Sequence, residues 1–434
     1  MSGQSRRPLP TIAILLLSIL LLVAPLGIRV ITGAPITPGD SSYRYVHEAQ
    51  EILAGSNGSP YAYVLAPFLF FGVPFALPPL LGILSLLVAA TLLRTLIKDE
   101  EIRSYALLLF AITPLWITIS TTHTPLSLFL LLFLVGILAH EHKKSVLTAI
   151  CIAALPTLLP IAGLLIAGLV IVDGLLSRHE RGATMTLIFT TGVVVAGMLR
   201  GSWPPILIDT GFLEELGGLV SFSVFAIVLA IYGLGTHWGT MKRIRTIVFA
   251  LLLVAAAWLP GLRTAGMLFV CVAAAWGMKS LFGRRWTLAL LRNATILLLA
   301  CLALFVVITH EQLLVHEAPS RELLAAAREI RIQPHDGTLL TTTDYDEALA
   351  YYADIRTVNA PESVLSAVTV TAVHPWLVAQ NVRYILVTDE MRAALWTRDD
   401  EGLLFLLENN EKFITVSKGP DYTLSLFLQE YAVR

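Results

Sequence analysis

The feature that most limits what this chain can become is a succession of apolar runs filling residues 1–308, each about as long as a bilayer is thick. A helix needs about 20 consecutive apolar residues to cross the hydrocarbon core. Lipid offers no partner to backbone polar groups, so runs of this kind fold as helices, which satisfy their own. Spans are expected at 11–32, 77–96, 104–120, 124–140, 146–158, 159–177, 184–199, 217–236, 246–260, 263–280 and 287–308, about eleven in all. Thr11–Thr32 follows Arg6 and Arg7 as the apolar part of a signal peptide would. It is too long for one and lacks a small-residue cleavage site, so it reads as an uncleaved first span. Pro156 and Pro160 leave two short spans, and one broken helix plus one full helix is the alternative there.

Charge assigns the two sides. Arg6, Arg7, Arg94, Lys98, Arg103, Lys143, Lys144, Arg178, Arg181, Lys242, Arg243, Arg245, Lys279, Arg284 and Arg285 fall on one set of connections, fifteen in number. Arg29, Arg44, Arg200 and Arg263, four in number, fall on the other. Cytoplasmic loops carry the excess of Lys and Arg. The expectation is a multi-pass cell-membrane protein with a cytoplasmic N-terminus and an extracytoplasmic C-terminal domain. An odd number of spans requires the same opposition.

Beyond residue 308 the composition changes. Charged residues make up 14% of the whole chain, well below the roughly 25% of a soluble domain, but residues 309–434 have ordinary globular content. Two domains follow: 1–308, transmembrane, with outer loops 33–60 and 200–217, and 309–434, a small α/β domain. In the latter, 320–332, 345–353 and 363–380 read as helices, and 338–343, 357–359, 382–388, 413–417 and 422–428 as strands. No basic field points to nucleic acid. Cys151, Cys271 and Cys301 sit inside apolar runs and read as small buried hydrophobes, not as a disulfide framework or a metal site.

Long connections between packed elements tend to carry function. In the first outer loop, Pro38-Gly39 makes a turn and Asp40 suits the start of a short helix that carries Tyr43, Val46 and Leu53 on one side. A carboxylate there can serve as a general base or bind a metal; a capping role is the commoner one. Arg44, one turn on, can pair with a phosphate. The following apolar segment, with Tyr61, Tyr63, Phe68, Phe70 and Phe71, is expected to lie in the outer membrane interface. The second loop holds Arg200, Trp203, Asp209, Glu214 and Glu215. A solvated connector is the simple reading, yet Arg200 is well placed for a lipid-linked phosphate. His123 occupies a tight outer turn, where a plain polar turn residue is the commoner case. Asp40 with His47 makes only a weak metal pair, so no cofactor is assigned; a divalent metal is an open alternative that the pattern does not support. GxxxxGK[ST], HExxH and GxSxG are all missing from the chain.

This layout resembles the GT-C superfamily of membrane glycosyltransferases, which includes protein O-mannosyltransferases, aminoarabinose-transferring lipid A enzymes and the catalytic subunit of oligosaccharyltransferase. The resemblance lies in the first span, the long outer loop with an early acid, the aromatic segment after it, the many spans and the outer C-terminal domain. Asp40 in Pro38-Gly39-Asp40-Ser41-Ser42-Tyr43 matches the position of the family's catalytic Asp. Ser59-Pro60-Tyr61-Ala62-Tyr63 looks like the segment leading into the second span. Phe212-Leu213-Glu214-Glu215-Leu216-Gly217-Gly218 is similar to archaeal members that use dolichyl-phosphate sugars. Three departures stand out. Ser41 follows Asp40 where a second acid is usual, His123 stands in the turn where an acidic pair would be, and the Trp-Trp-Asp-Tyr-Gly signature of oligosaccharyltransferase is absent. They argue against an oligosaccharyltransferase.

The resemblance implies an inverting transferase that moves one sugar from a polyprenyl-phosphate donor to a protein, lipid or glycan acceptor on the outer face. Asp40 would be the general base, and Tyr43, Arg44, Arg200, Trp203, Glu214 and His123 would bind substrate. The alternative is a non-enzymatic protein: a lipid or solute transporter, or a membrane anchor for the C-terminal domain.

Overall fold

The computed structural model describes residues 11–176, 180–200, 222–237, 259–284, 286, 288–316, 319, 321–332, 337–341, 345–367, 369–388, 402–409, 411–419 and 422–428. The chain divides into two compact units, Met1–Ile28 with Glu48–His316, and Arg29–His47 with Glu317–Arg434. The sequence division placed all of the first outer loop with the transmembrane part. In the structure residues 29–47 group with the C-terminal part instead.

The first unit is helical. Its described helices are α1 (Thr11–Thr32), α2 (Asp40–Leu53), α3 (Pro60–Phe70), α4 (Leu77–Leu96), α5 (Glu100–Ala111), α6 (Pro114–Ile119), α7 (Pro125–Glu141), α8 (Ser145–Leu158), α9 (Pro160–Leu176), α10 (Glu180–Arg200), α11 (Val224–His237), α12 (Pro260–Gly283) and α13 (Ala289–His316), with α1 and α2 each running across the boundary between units. Among the described residues, four stretches are long and apolar enough to cross a membrane: Thr11–Thr32, Pro74–Leu96, Gly261–Gly283 and Ala289–Val315. Leu290 is 78% exposed and Phe305 67%. Apolar side chains displayed so fully on a helix of this length are stable against lipid.

Prolines explain where the helices differ from the expected spans. The span expected at 104–120 is two helices. Pro114 has no N–H and would clash with the carbonyl one turn back, and the preceding Thr113 takes an extended backbone. The pair around Pro156 is two helices joined at Leu159, and a Cβ on Gly163 would lie 2.4 Å from the Pro156 nitrogen. Helices α11 and α12 touch backbone to backbone: a Cβ on Gly233 would sit 2.0 Å from the Ala273 carbonyl oxygen, and one on Gly277 2.2 Å from that of Leu229. Small residues permit this approach between helices in lipid. The span expected at 246–260 lies almost wholly outside the described residues.

Contacts sort the helix ends of this unit into two groups. At one end Lys279 pairs with Asp99 and lies 3.7 Å from Glu101, while His140 Nε2 is 3.0 Å from Asp173 Oδ2. At the other end Tyr61 meets His123, Thr118 meets His310, and Gly261 packs on Leu159, Ala162 and Phe129.

In the second unit the strands are β1 (Thr338–Leu340), β2 (Arg356–Val358), β3 (Val382–Thr388), β4 (Phe413–Lys418) and β5 (Tyr422–Phe427), in the order β2-β1-β3-β5-β4. β2, β1 and β3 are parallel; β5 and β4 add on antiparallel. Successive side chains of a strand point to opposite faces. Leu340, Ile385 and Val387 accordingly join one core with Val373 and Leu377, and Leu339, Tyr384 and Leu386 join another with Ala326 and Ile330. The helices of this unit include α14 (Arg321–Ile332), α15 (Asp346–Ala353), α16 (Glu362–Leu365), α17 (Val370–Ala379) and α18 (Gly402–Asn409), of which the last has no counterpart in the sequence reading.

Candidate functional site

The arm leading into α2 is shaped by its turn. Gly39 adopts φ +77°, which a side chain would resist, and Ser42 Oγ donates to the Pro38 carbonyl at 2.6 Å. Asp40 is the first residue of α2. Its carboxylate receives the backbone N–H groups of Glu347 (Oδ2, 3.1 Å) and Ala348 (Oδ1, 2.7 Å) in the first turn of α15. The residue at the N-cap of α15, Tyr345, makes no side-chain capping bond to that helix. Asp40 therefore does for α15, from some 300 positions away in sequence, what a local Ser or Asp usually does.

One turn along α2, the Tyr43 ring stands 5.5 Å from the rings of both Tyr351 and Tyr352 on α15. Its hydroxyl donates to the Thr37 carbonyl at 3.2 Å. Burial, reinforced by Tyr352, pushes the phenol far above its ordinary range. Tyr43, which the resemblance assigns to substrate binding, is 3% exposed and packs against the α15 tyrosines. Arg29, fully buried, donates from Nη1 to the carbonyls of Pro35 (2.9 Å) and Thr37 (3.3 Å), clamping the same arm. Arg44 and His47 lie exposed on the outer side of α2.

His123 belongs to the first unit. Its Nδ1 is 3.3 Å from the Tyr61 hydroxyl, and both side chains are fully buried. Burial pushes this imidazole, in the turn between two spans, down to about 4. Tyr61 was expected in the membrane interface with its aromatic neighbours. It packs inward, while Tyr63, Phe70 and Phe71 are exposed. The difference is one of helix phase: on α3 Tyr61, Ala62, Leu65 and Ala66 share the buried face. Arg200 is the last residue of α10 and its side chain lies outside the described residues, as do Trp203 and Glu214 altogether. Among the described residues no group of three or more His, Cys, Asp or Glu side chains is placed to hold a metal ion.

No protein-family model and no curated protein sequence matches the chain. Solved structures do. The apo oligosaccharyltransferase of Archaeoglobus fulgidus superposes with a TM-score of 0.62 at 12% identity, over 88% of this chain and 70% of that one. The same archaeon's AglB, in complex with an inhibitory peptide and a dolichol-phosphate, gives 0.58 at 12% identity, with 88% and 70% covered. ArnT from Cupriavidus metallidurans, bound to undecaprenyl phosphate, gives 0.56 at 13% identity, over 96% of this chain and 97% of that one. The chain has the GT-C fold. The expectation drawn from the first loop and the spans is met at the level of architecture, for a membrane-embedded protein.

Within that fold, three residues escaped the sequence reading. Arg263, in the first turn of α12, is fully buried, and a guanidinium is rarely hidden without purpose. It was already one of only four cations on the sparse side, which was the available signal. His310 and Glu311 were assigned to the soluble domain because the last span was ended at 308. The helix runs on to His316, and His310 Nε2 meets Thr118 Oγ1 at 3.0 Å inside the first unit.

Proposed function

We propose that this protein is a membrane glycosyltransferase that takes a sugar from a polyprenyl-phosphate donor and passes it, with inversion, to a protein, lipid or glycan acceptor on the outer face. The observation that carries the reading is the GT-C fold itself, shared with ArnT over 96% of this chain and 97% of the other. That ArnT structure holds undecaprenyl phosphate, and an AglB structure holds dolichol-phosphate, which supports a lipid-phosphate donor here. Single displacement at the anomeric carbon gives inversion: the acceptor oxygen bonds to the carbon, the bond to the phosphate oxygen breaks, and polyprenyl phosphate departs. Asp40 takes the acceptor hydroxyl's proton. Arg44 and Arg200 remain our candidates for the donor phosphate, and the burial of Arg263 adds it to them. Trp203, Glu214 and His123 are assigned to substrate binding.

The non-enzymatic alternative, a transporter or an anchor for the C-terminal domain, finds its support in the same two N–H bonds, because an Asp that caps α15 has a structural task. One experiment separates them. Membranes carrying the chain are given radiolabelled hexose on dolichyl phosphate and on undecaprenyl phosphate, and label is followed into lipid, glycan and protein. Asp40→Asn keeps a side-chain oxygen for the cap but loses the base, so transfer should fall by about 10²–10⁴-fold. Full transfer by this variant at normal expression removes Asp40 as the base, and no transfer by the unaltered chain removes the enzyme.

A further inference from the structure

We infer that α15 of the C-terminal unit is the positioning element for Asp40. In this inference, which rests on Asp40 being the base, the N–H groups of Glu347 and Ala348 fix the carboxylate and hold it ionised, and Tyr351 and Tyr352 fix the helix that bears it. Three observations support it. The carboxylate is gripped at both oxygens, by Glu347 N–H at 3.1 Å and Ala348 N–H at 2.7 Å, so its plane and direction are set. The N–H groups come from the first turn of an eight-residue helix, whose dipole favours the carboxylate over the carboxylic acid. The grip is repeated one turn away, where Tyr43 packs between two tyrosines at 5.5 Å. A capping bond alone needs no such second anchor. The arrangement restrains α2 at Asp40 and at Tyr43, which restricts the carboxylate in orientation as well as in place. A base needs that restriction, since misplacement by about 1 Å can cost about 10²-fold.

The chemistry predicts a signature that a purely structural cap would lack. Backbone N–H groups that stabilise the ionised form keep a base available at lower pH. Removing one should raise the pH at which activity is half lost on the acid side.

Glu347 is exposed and sits in the first turn of α15, where a proline is tolerated because its N–H has no partner within the helix. Glu347→Pro deletes one donor to Asp40, and Glu347→Ala, which retains the N–H, isolates the side chain's share. Transfer of labelled hexose from dolichyl and undecaprenyl phosphate is measured against pH for both, in the full chain. Relative to Glu347→Ala, Glu347→Pro should move the acid limb of kcat/KM up by about half to one pH unit and lower kcat about 3–10-fold, with the donor KM unchanged. Should Glu347→Pro fail to fold, Tyr352→Ala tests the second anchor. It should lower kcat at constant KM, and Tyr352→Phe should restore it. Superimposable profiles for the Pro and Ala variants, or a rise in kcat on losing the N–H, overturn the positioning role. An active Asp40→Asn overturns the base assignment instead, so the two failures are told apart.

Discussion

The two units bury apolar surface by opposite means. In the helical unit, Leu290 and Phe305 face outward while Thr113, Thr118, His123 and Arg263 are enclosed. In the α/β unit, Leu339, Leu340 and the whole of Ile385–Val387 are enclosed between helices on both sheet faces. Lipid explains the first arrangement: there is no gain in hiding a leucine from hydrocarbon, so leucines can face outward while small and polar residues join Leu, Phe and Trp at the helix contacts. Water explains the second. The comparison teaches where a precisely held carboxylate can be built. An oriented fork of free backbone N–H groups is available at a helix start, and Asp40 finds one on the α/β unit, with which its arm is grouped.

Truncating a core side chain should damage the two units unequally. Leu386→Ala, in the middle of β3, should cost about 4 kcal/mol, the transfer of the deleted carbons beyond Cβ plus the cavity they leave. Hydrogen exchange of the full chain would show protection lost across β3 and β5 and kept in α4 and α12. Equal loss in both units would mean that they unfold as one, and the comparison would fail. The converse test enlarges a small residue. Gly277→Val places methyl groups where Leu229 contributes backbone, which cannot rotate aside, and should destabilise the helical unit by about 3 kcal/mol. The melting of detergent-solubilised protein, followed beside exchange in the α/β unit, checks it.

Acid should distinguish them next. The folded state holds His123 neutral down to about 4, against 6.5 when exposed. Protons therefore bind the unfolded chain first, and stability is lost as pH falls from about 6.5 to 4, by roughly 2–3 kcal/mol for this group. His123→Asn should flatten that part of the stability profile; an unaltered slope would mean the imidazole is solvated. The smallest effect is expected at Asp99. Partial burial raises its carboxyl, but the Lys279 ammonium and the N–H groups of Ile102 and Glu101 outweigh it and hold the group below its ordinary value. A depressed carboxyl contributes stability above its unfolded pKa and loses it as pH falls through the folded one. At neutral pH Asp99→Asn should cost no more than about 0.5 kcal/mol, since the pair is more than a third exposed and screened by salt. A cost several times larger, read in the same melts, would mark it as a buried lock.

The candidate site was legible in part, and the reason differs residue by residue. Asp40 was found because a Pro-Gly turn before an acid is a local pattern. Its partner was not found, since the N–H groups of Glu347 and Ala348 carry no side-chain signature and lie in another domain of the sequence. Tyr61 was misread because an aromatic residue after an outer loop suits the membrane interface as well as it suits a core, and only helix phase separates the two. Arg263 was counted as a charge but not located, because sequence gives a charge its side of the membrane and not its depth. The break at Thr113 was in principle readable from Pro114, yet the unbroken hydropathy of 104–120 concealed it.

What the sequence determined by itself is the solvent of each part. Runs of apolar residues as long as a bilayer is thick, and alternating ones in the C-terminal part, follow from backbone hydrogen bonding in lipid and from burial in water, both of which act on local stretches. The pairing of Lys and Arg counts with helix ends belongs to the same local kind of information. Only the tertiary structure decided which surfaces meet. It grouped residues 29–47 with the C-terminal unit, carried the last helix to His316, and gave Asp40 the helix start at Asp346 to hold. A carboxylate seeks unsatisfied N–H groups wherever the folded chain brings them, and that choice is made in space.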